Sequence, residues 1–168
     1  MRHVITALVQ NKPGVLAHVA GMFSARGFNI DSLVVGRTQD ADLSRMTIVV
    51  VGNDRMMEQV RKQLSKLVSV VRVRDFEDVD YVERDLMLLR VAAEASKRAE
   101  VVELVNLFRG RVVDVARKSV IVELSGPEDK LEAFIDLVRS YGRVELARTG
   151  VIAMQRGGKT GQASKEDA

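Results

Sequence analysis

Apolar residues follow two different periods along the first half of the chain, and the order in which these periods alternate restricts the fold more than any other feature. Runs rich in β-branched residues predict strands, whereas apolar residues at every third or fourth position predict helices with one apolar face. The predicted order is β-α-β-β-α-β, with strands near 2–10, 28–37, 44–52 and 69–76 and helices near 14–26 and 54–67. Because one face of a single sheet can bury both helices, the pattern predicts an α+β fold of the ferredoxin-like type.

The second half of the chain repeats this order. Strands are predicted near 84–93, 111–117, 119–125 and 143–149, and helices near 97–108 and 127–139. From Arg156 onward, glycine and charged residues dominate and apolar periodicity is lost, which is typical of disorder. We therefore predict two tandem ferredoxin-like (βαββαβ) domains at 1–76 and 84–155, an acidic linker at 77–83 and a disordered tail at 156–168.

The turn between the first strand and the first helix has the sequence Asn-Lys-Pro-Gly-Val-Leu at 11–16. Pro13 suits the first helical position because it has no N–H group to leave unpaired, and Gly14 has no Cβ to keep a ligand from the backbone. The start of a helix offers unpaired N–H groups together with the positive end of the helix dipole. The turn therefore predicts a small anion site that a carboxylate could occupy.

Two asparagines end apolar segments close to this turn. Asn11 and Asn29 each carry both a hydrogen-bond donor and an acceptor, the mixture that an amino acid needs. Asn29 stands where the chain re-enters the sheet. Ordinary turn chemistry, with Gly27 ending the helix, is an equally good interpretation of that segment.

The composition disfavours several classes of protein. Without cysteine the chain can form neither a disulfide framework nor a thiolate metal site. Its apolar runs are far shorter than the ~20 residues of a membrane span, and no signal-peptide pattern opens the chain, so we expect a cytoplasmic protein. A net charge of +3 with interspersed signs, and the absence of tryptophan, disfavour nucleic-acid binding.

Motifs for catalysis and metal binding are missing from the sequence. His3 and His18 have no carboxylate at metal-ligand spacing, no serine stands in a nucleophile elbow, and glycine-rich phosphate motifs are absent. We therefore expect a non-catalytic chain without its own metal or cofactor. The β-branched runs at 46–51 and 70–73 leave sheet edges that a symmetric partner could pair, which predicts a homodimer.

The strand, the turn at 11–16 and the helix resemble the start of an ACT domain, a ferredoxin-like module that binds amino acids. The stretches 21–33, 43–48 and 63–68 resemble the small regulatory subunits of acetolactate synthase (acetohydroxyacid synthase). In the second half, 83–88 and 108–110 resemble the C-terminal domain of the same family. The resemblance covers nearly all of residues 1–156, and the motifs of the first half are the more specific ones.

This resemblance implies a regulatory subunit that activates a catalytic (large) subunit and confers feedback inhibition by valine, or by leucine or isoleucine. The catalytic partner would carry thiamine diphosphate, Mg²⁺ and FAD. The effector would lie at the interface of an ACT homodimer, with Asn29 approaching from the neighbouring protomer. The implied effector-binding residues are Asn11, Pro13, Gly14, Val15, Leu16, Asn29 and Ile30. The residues expected to meet the catalytic subunit are Arg37, Leu43 and Arg45.

Two other functions stay open from the sequence. One is a stand-alone tandem ACT sensor that regulates another amino-acid enzyme or a transcriptional partner. The other is an enzyme of ferredoxin-like fold, such as an acyl-phosphate hydrolase, which needs an arginine and an asparagine positioned around a phosphate loop.

Overall fold

The computed structural model describes residues 1–77 and 79–157 and contains the predicted order of elements twice, followed by one more strand. The first half comprises β1 (Arg2–Gln10), α1 (Val15–Ser24), β2 (Ile30–Arg37), β3 (Leu43–Val51), α2 (Asp54–Leu64) and β4 (Val70–Asp75). The second half comprises β5 (Tyr81–Ala92), α3 (Arg98–Leu107), β6 (Arg111–Val115), β7 (Ser119–Gly126), α4 (Glu128–Val138), β8 (Val144–Arg148) and β9 (Ile152–Gln155). The predicted α+β class with two ferredoxin-like repeats is confirmed.

The first sheet is built around β1, and its strand order is β2-β3-β1-β4. β1 pairs antiparallel with β3 along its whole length and with β4 over residues 5–9, so β2 and β4 are the edge strands. The expectation that the run at 46–51 leaves a sheet edge is wrong, because this run lies in β3 inside the sheet, whereas 70–73 lies in the edge strand β4. Ile5, Ala7 and Val9 share one face of β1 and are fully buried, and Val4 and Thr6 on the opposite face are buried as well. The helices contribute the rest of this core through Val15, Val19, Met22, Phe23, Met57, Val60 and Leu64.

The second sheet is built around β5, and its strand order is β6-β7-β5-β8, with β9 also paired to β5. Alternate residues of β5 and β7 are buried against α3 and α4, and Phe108 stacks edge-on against Phe134. The sequence did not predict β9, because four residues are too short for a twofold period to be recognised. The core of this half comprises Met87, Leu89, Val91, Val101, Val105, Val120, Val122, Leu124, Leu131, Phe134, Ile135 and Val138.

The chain divides into two compact units that are not simple successive segments. The first unit contains Met1–Asp31 and Val35–Val82, together with 153–157 among the described residues. The second contains Ser32–Val34 and Glu83–Ile152. The domain limits drawn from the sequence at 76 and 84 stay a prediction. Most of the predicted tail, residues 158–168, lies outside the described residues, while Arg156 and Gly157 are exposed.

The prediction that Pro13 is the first helical residue is wrong. Helix α1 begins at Val15, and Gly14 precedes it with φ of 85°. That φ lies in the left-handed region, which glycine adopts without the steric penalty that a Cβ brings. Pro13 therefore belongs to the turn, and helical geometry begins only after Gly14.

A buried carboxylate organises the end of β8 in the second unit. The Asp85 carboxylate is almost fully buried and accepts hydrogen bonds from Arg148 Nε (2.7 Å), Thr149 Oγ1 (3.2 Å) and the Gly150 amide (3.1 Å). The Arg148 guanidinium also donates to Glu132 on α4. Burial alone would lower the pKa of Arg148, but its hydrogen bonds to Glu132 and Asp85 raise it above the ordinary value. Arg148 thus stays charged and joins β5, β8 and α4.

Candidate functional site

The N-terminus of α1 is open. Val15 donates only a long hydrogen bond to the Lys12 carbonyl (3.4 Å), while His18 donates to the Gly14 carbonyl (3.0 Å). The amides of Leu16 and Ala17 make no hydrogen bond within the described part of the chain, and no side chain caps the helix. Two donors at the positive end of the helix dipole are therefore available to an anion.

Gly14 leaves clear space over this helix start. A Cβ built on Gly14 would meet no atom of the described residues within 4 Å. The glycine is thus needed for its backbone conformation, and the space in front of the backbone is open. Within the predicted site, Val15 is buried in the core, whereas Pro13, Gly14 and Leu16 are exposed. Three of these four neighbouring residues can therefore reach a ligand from solvent.

Asn11 holds the turn to the loop that joins β2 and β3. Its backbone amide donates to the Asp42 carbonyl (2.7 Å), and its side-chain Nδ2 donates to the Ala41 carbonyl (2.9 Å). The Asn11 side-chain oxygen has no partner among the described residues, so it can still accept a hydrogen bond. The sequence placed Asn11 beside the turn, but its bonds to residues about 30 positions away depend on a strand register that periodicity does not reveal.

Asn29 and Ile30 lie at the head of the edge strand β2. Gly27 has φ of 67°, and the Phe28 amide returns to the Phe23 carbonyl (3.0 Å), so turn chemistry explains Gly27. It does not explain Asn29, whose exposed side chain makes no hydrogen bond within residues 1–77 and 79–157. No hydrogen bond joins Asn29 to Asn11 or Gly14 in that part of the chain.

The residues expected to meet a catalytic partner flank the β2–β3 loop. Arg37 ends β2 and Leu43 begins β3, with Arg45 two residues further on; both arginines are exposed and Leu43 is half-buried. Internal hydrogen bonds order the loop, because Thr38 Oγ1 donates to the Asp40 carbonyl (3.0 Å) and Asp40 Oδ1 accepts from the Asp42 amide (2.9 Å). The loop thus has a defined shape that Asn11 fixes to the open turn.

The two histidines occupy ordinary structural positions. His3 is buried on β1 with Nε2 3.2 Å from the Gly52 carbonyl oxygen, and His18 is exposed on α1. Across the described ranges, no group of three or more His, Asp or Glu side chains is arranged to hold a metal ion. None of the helices in those ranges is long and apolar enough to cross a membrane.

The βαββαβ sheet of the first half, with its glycine turn before α1, defines an ACT-type module. In agreement with this, the protein-family model of the AHAS (acetohydroxyacid synthase) small subunit-like ACT domain matches residues 5–72. The family model of the small subunit of acetolactate synthase matches residues 84–157. The chain belongs to the family of acetolactate synthase small subunits, whose name places it in branched-chain amino-acid biosynthesis.

Individual relatives are similar over nearly their whole length. The probable acetolactate synthase small subunit of Archaeoglobus fulgidus is 59% identical, over 95% of this chain and 99% of the relative. The acetolactate synthase small subunit of Mycolicibacterium smegmatis is 47% identical, over 92% and 91%. A crystal structure of the acetolactate synthase small subunit from Thermotoga maritima has a TM-score of 0.84 at 42% identity, covering 93% of this chain and 98% of that one.

Proposed function

We propose that the chain is a non-catalytic regulatory subunit of acetolactate synthase in the cytoplasm, which activates the catalytic subunit and confers feedback inhibition by valine, or by leucine or isoleucine. The observation that carries this proposal is the uncapped start of α1, with its free Leu16 and Ala17 amides, in a chain of this family. Thiamine diphosphate, Mg²⁺ and FAD would be bound by the catalytic subunit, so the reaction itself would take place there.

The amino-acid effector would bind through its carboxylate at the start of α1. The Leu16 and Ala17 amides would donate to it, and the side-chain oxygen of Asn11 would accept from the effector's ammonium group. The exposed side chain of Leu16 offers apolar surface for a branched aliphatic group. Polar and apolar contacts then lie side by side, as recognition of a branched-chain amino acid requires.

A homodimer would complete the site through the edge strand β2. An edge strand carries unpaired backbone N–H and C=O groups, and Val35 adds an exposed apolar side chain on this strand. Pairing with a second copy would cover both. Asn29 of the partner subunit would then supply a polar contact, since the Asn29 side chain makes no hydrogen bond to the described residues of its own chain.

The expected affinity follows from opposing terms. Charge-assisted hydrogen bonds contribute about 1.5–3 kcal/mol each, and burial of a valine side chain contributes about 1.5–3 kcal/mol. Association costs ~4–15 kcal/mol in lost freedom. Three such bonds and the side chain together contribute at most about 12 kcal/mol, so the lowest association cost leaves about −8 kcal/mol, or 1 μM, as the tightest binding. We therefore expect a dissociation constant between this limit and the millimolar range. A sensor of metabolite concentration works in this range.

Asn11 would couple the effector to the catalytic subunit. Its Nδ2 holds the Ala41 carbonyl of the β2–β3 loop, beside the residues proposed to meet the catalytic partner. An effector that engages Asn11 would change the free energy of this bond and thus the preferred position of the loop. By thermodynamic linkage, the catalytic subunit and the effector would then influence each other's binding equally.

Valine should stabilise the isolated chain against heat. A ligand that binds only the folded state at a concentration of 100 times its dissociation constant adds about 2.7 kcal/mol to the free energy of unfolding. Thermal denaturation with L-valine, L-leucine and L-isoleucine should show a saturable rise in Tm, largest for the physiological effector. D-valine is the matched control because it has the same charges and apolar area. Equal shifts with L- and D-valine, or no shift with any of the three L-amino acids, would contradict the proposed sensor.

Charge reversal at Arg37 should weaken activation of the catalytic subunit, while the isolated chain should still bind valine. Arg37 ends β2 beside the loop and is not among the residues proposed to bind the effector, so Arg37→Glu would change the proposed partner surface and leave the donors at the start of α1 in place. We expect the concentration of this chain needed for half-maximal acetolactate formation to rise on the order of tenfold. Arg55→Glu makes the same change on an exposed position of α2 and serves as the control. Equal activation by wild type and Arg37→Glu would rule out this surface.

A further inference from the structure

A cavity of about 380 Å³ lies against the first sheet and is lined by four arginines. Arg45 of β3 and Arg72 of β4 both pair with Leu8 of β1, and Arg74 pairs with Thr6. Residues at paired positions of neighbouring strands lie on the same face of the sheet. The side chains of Arg45 and Arg72 therefore lie on either side of Leu8, and that of Arg74 lies beside Thr6 on the same face. They lie on the face opposite to that of the buried residues at 5, 7 and 9 of β1. Arg156, in the segment that follows β9, also lines the cavity.

The described lining of the cavity is positively charged. No aspartate or glutamate is among the described residues that line it. Arg45 and Arg156 make no ion pair within the described ranges, and Arg74 donates to the neutral side-chain oxygen of Gln155 (3.0 Å). Like charges in one partly enclosed space repel each other, and an anion placed among them removes that repulsion.

The form of the site indicates the chemistry of its ligand. Guanidinium groups donate two parallel hydrogen bonds to phosphate or carboxylate oxygens, and several of them together favour an anion with more than one charge. The volume lies within the range of small-molecule sites. Apolar walls from Leu8, Phe76 and Met154 leave room for a non-polar part of the ligand.

We propose that this cavity, named here the arginine cavity (Arg45, Arg72, Arg74 and Arg156 around Thr6 and Leu8), binds a small molecule that carries phosphate or pyrophosphate. It is separate from the open start of α1, where an amino-acid carboxylate would bind. The chain would then have two kinds of ligand site in its first unit, one for a zwitterion and one for a polyanion.

Calorimetric titration of the full chain tests this proposal, with pyrophosphate and inorganic phosphate as probes at constant ionic strength. We expect saturable binding of pyrophosphate to wild type and weaker binding of inorganic phosphate. The affinity for pyrophosphate should fall at least about tenfold in each of Arg45→Gln, Arg74→Gln and Arg156→Gln. Arg55→Gln removes the same charge from an exposed position of α2 and should bind as wild type does. Arg45→Lys keeps the charge but loses the paired donors, so intermediate binding is expected.

Three results would overturn the proposal. These are the absence of saturable pyrophosphate binding to wild type, equal weakening in Arg55→Gln, and unchanged binding in all three cavity variants. If the wild type binds neither probe, and Arg74→Gln and Arg156→Gln no longer bind the catalytic subunit, this face is a protein-docking surface instead. The valine-induced rise in Tm should persist in all these variants, so failure here is distinguishable from failure of the proposed effector site.

Discussion

Gly14→Asp is expected to weaken valine binding by at least about tenfold while the chain stays folded. The new carboxylate would stand at the start of α1, where the Leu16 and Ala17 amides are open, and acidic groups at this position are themselves favourable. It would occupy the donors that the effector needs and repel the effector's own carboxylate. Thermal denaturation with increasing valine should therefore show little rise in Tm, and the holoenzyme should remain activated but resist valine.

Gly14→Ala separates the effect of charge from the effect of backbone strain. Both substitutions place a Cβ on a residue with φ of 85°, where any L side chain is strained, but alanine leaves the helix amides free. We expect Gly14→Ala to lower the Tm without ligand and to bind valine within a few-fold of wild type. Normal valine binding by Gly14→Asp would show that the effector lies elsewhere.

Asp85→Ala should lower the free energy of unfolding by about 3–5 kcal/mol, the usual cost of removing one partner from a buried ion pair. Arg148 would keep its charge in a partly buried position, and Thr149 and Gly150 would lose their shared acceptor. Urea denaturation followed by circular dichroism should show unfolding at a clearly lower urea concentration.

Two variants test the origin of this loss. Glu132→Gln removes the half-exposed partner of Arg148, and we expect a cost within about 1 kcal/mol because solvent screens that pair. The double substitution Asp85→Leu with Arg148→Met removes both charges of the pair and should recover part of the stability lost in Asp85→Ala, because the Thr149 and Gly150 donors still lack their acceptor. If the double variant is no more stable than Asp85→Ala, the ion pair is not the source of the effect.

Local patterns predicted the elements of this fold well. Helix α2 is an example, because its apolar residues recur at helical spacing and Asn53 caps it by accepting from the Met56 amide (2.9 Å). Such signals act within a few residues and survive in almost any tertiary context. The short strand β9 has no comparable local signal, since its identity depends on pairing with β5.

The two candidate sites differ in how far local sequence patterns predict them. The turn at 11–16 was recognisable because proline, glycine and a helix start are adjacent in the chain. The arginine cavity was not, because only the register of three strands places Arg45 and Arg72 on either side of Leu8. The same limit applies to the bond from Asn11 to the Ala41 carbonyl. Long-range register is a property of the whole sheet, so no window of the sequence contains it.

The interleaved limits of the two units have a practical consequence for dissecting the protein. A fragment that ends in the acidic segment at 77–83 would be cut inside or just before β5, which begins at Tyr81. It would also lack residues 153–157, which belong to the first unit although they come last among the described residues. Such a fragment could retain the open start of α1 while missing one wall of the arginine cavity. Genetic truncation would thus keep the proposed effector site but lose part of the proposed polyanion site, so ligand studies on an isolated N-terminal half would test only one of the two proposals.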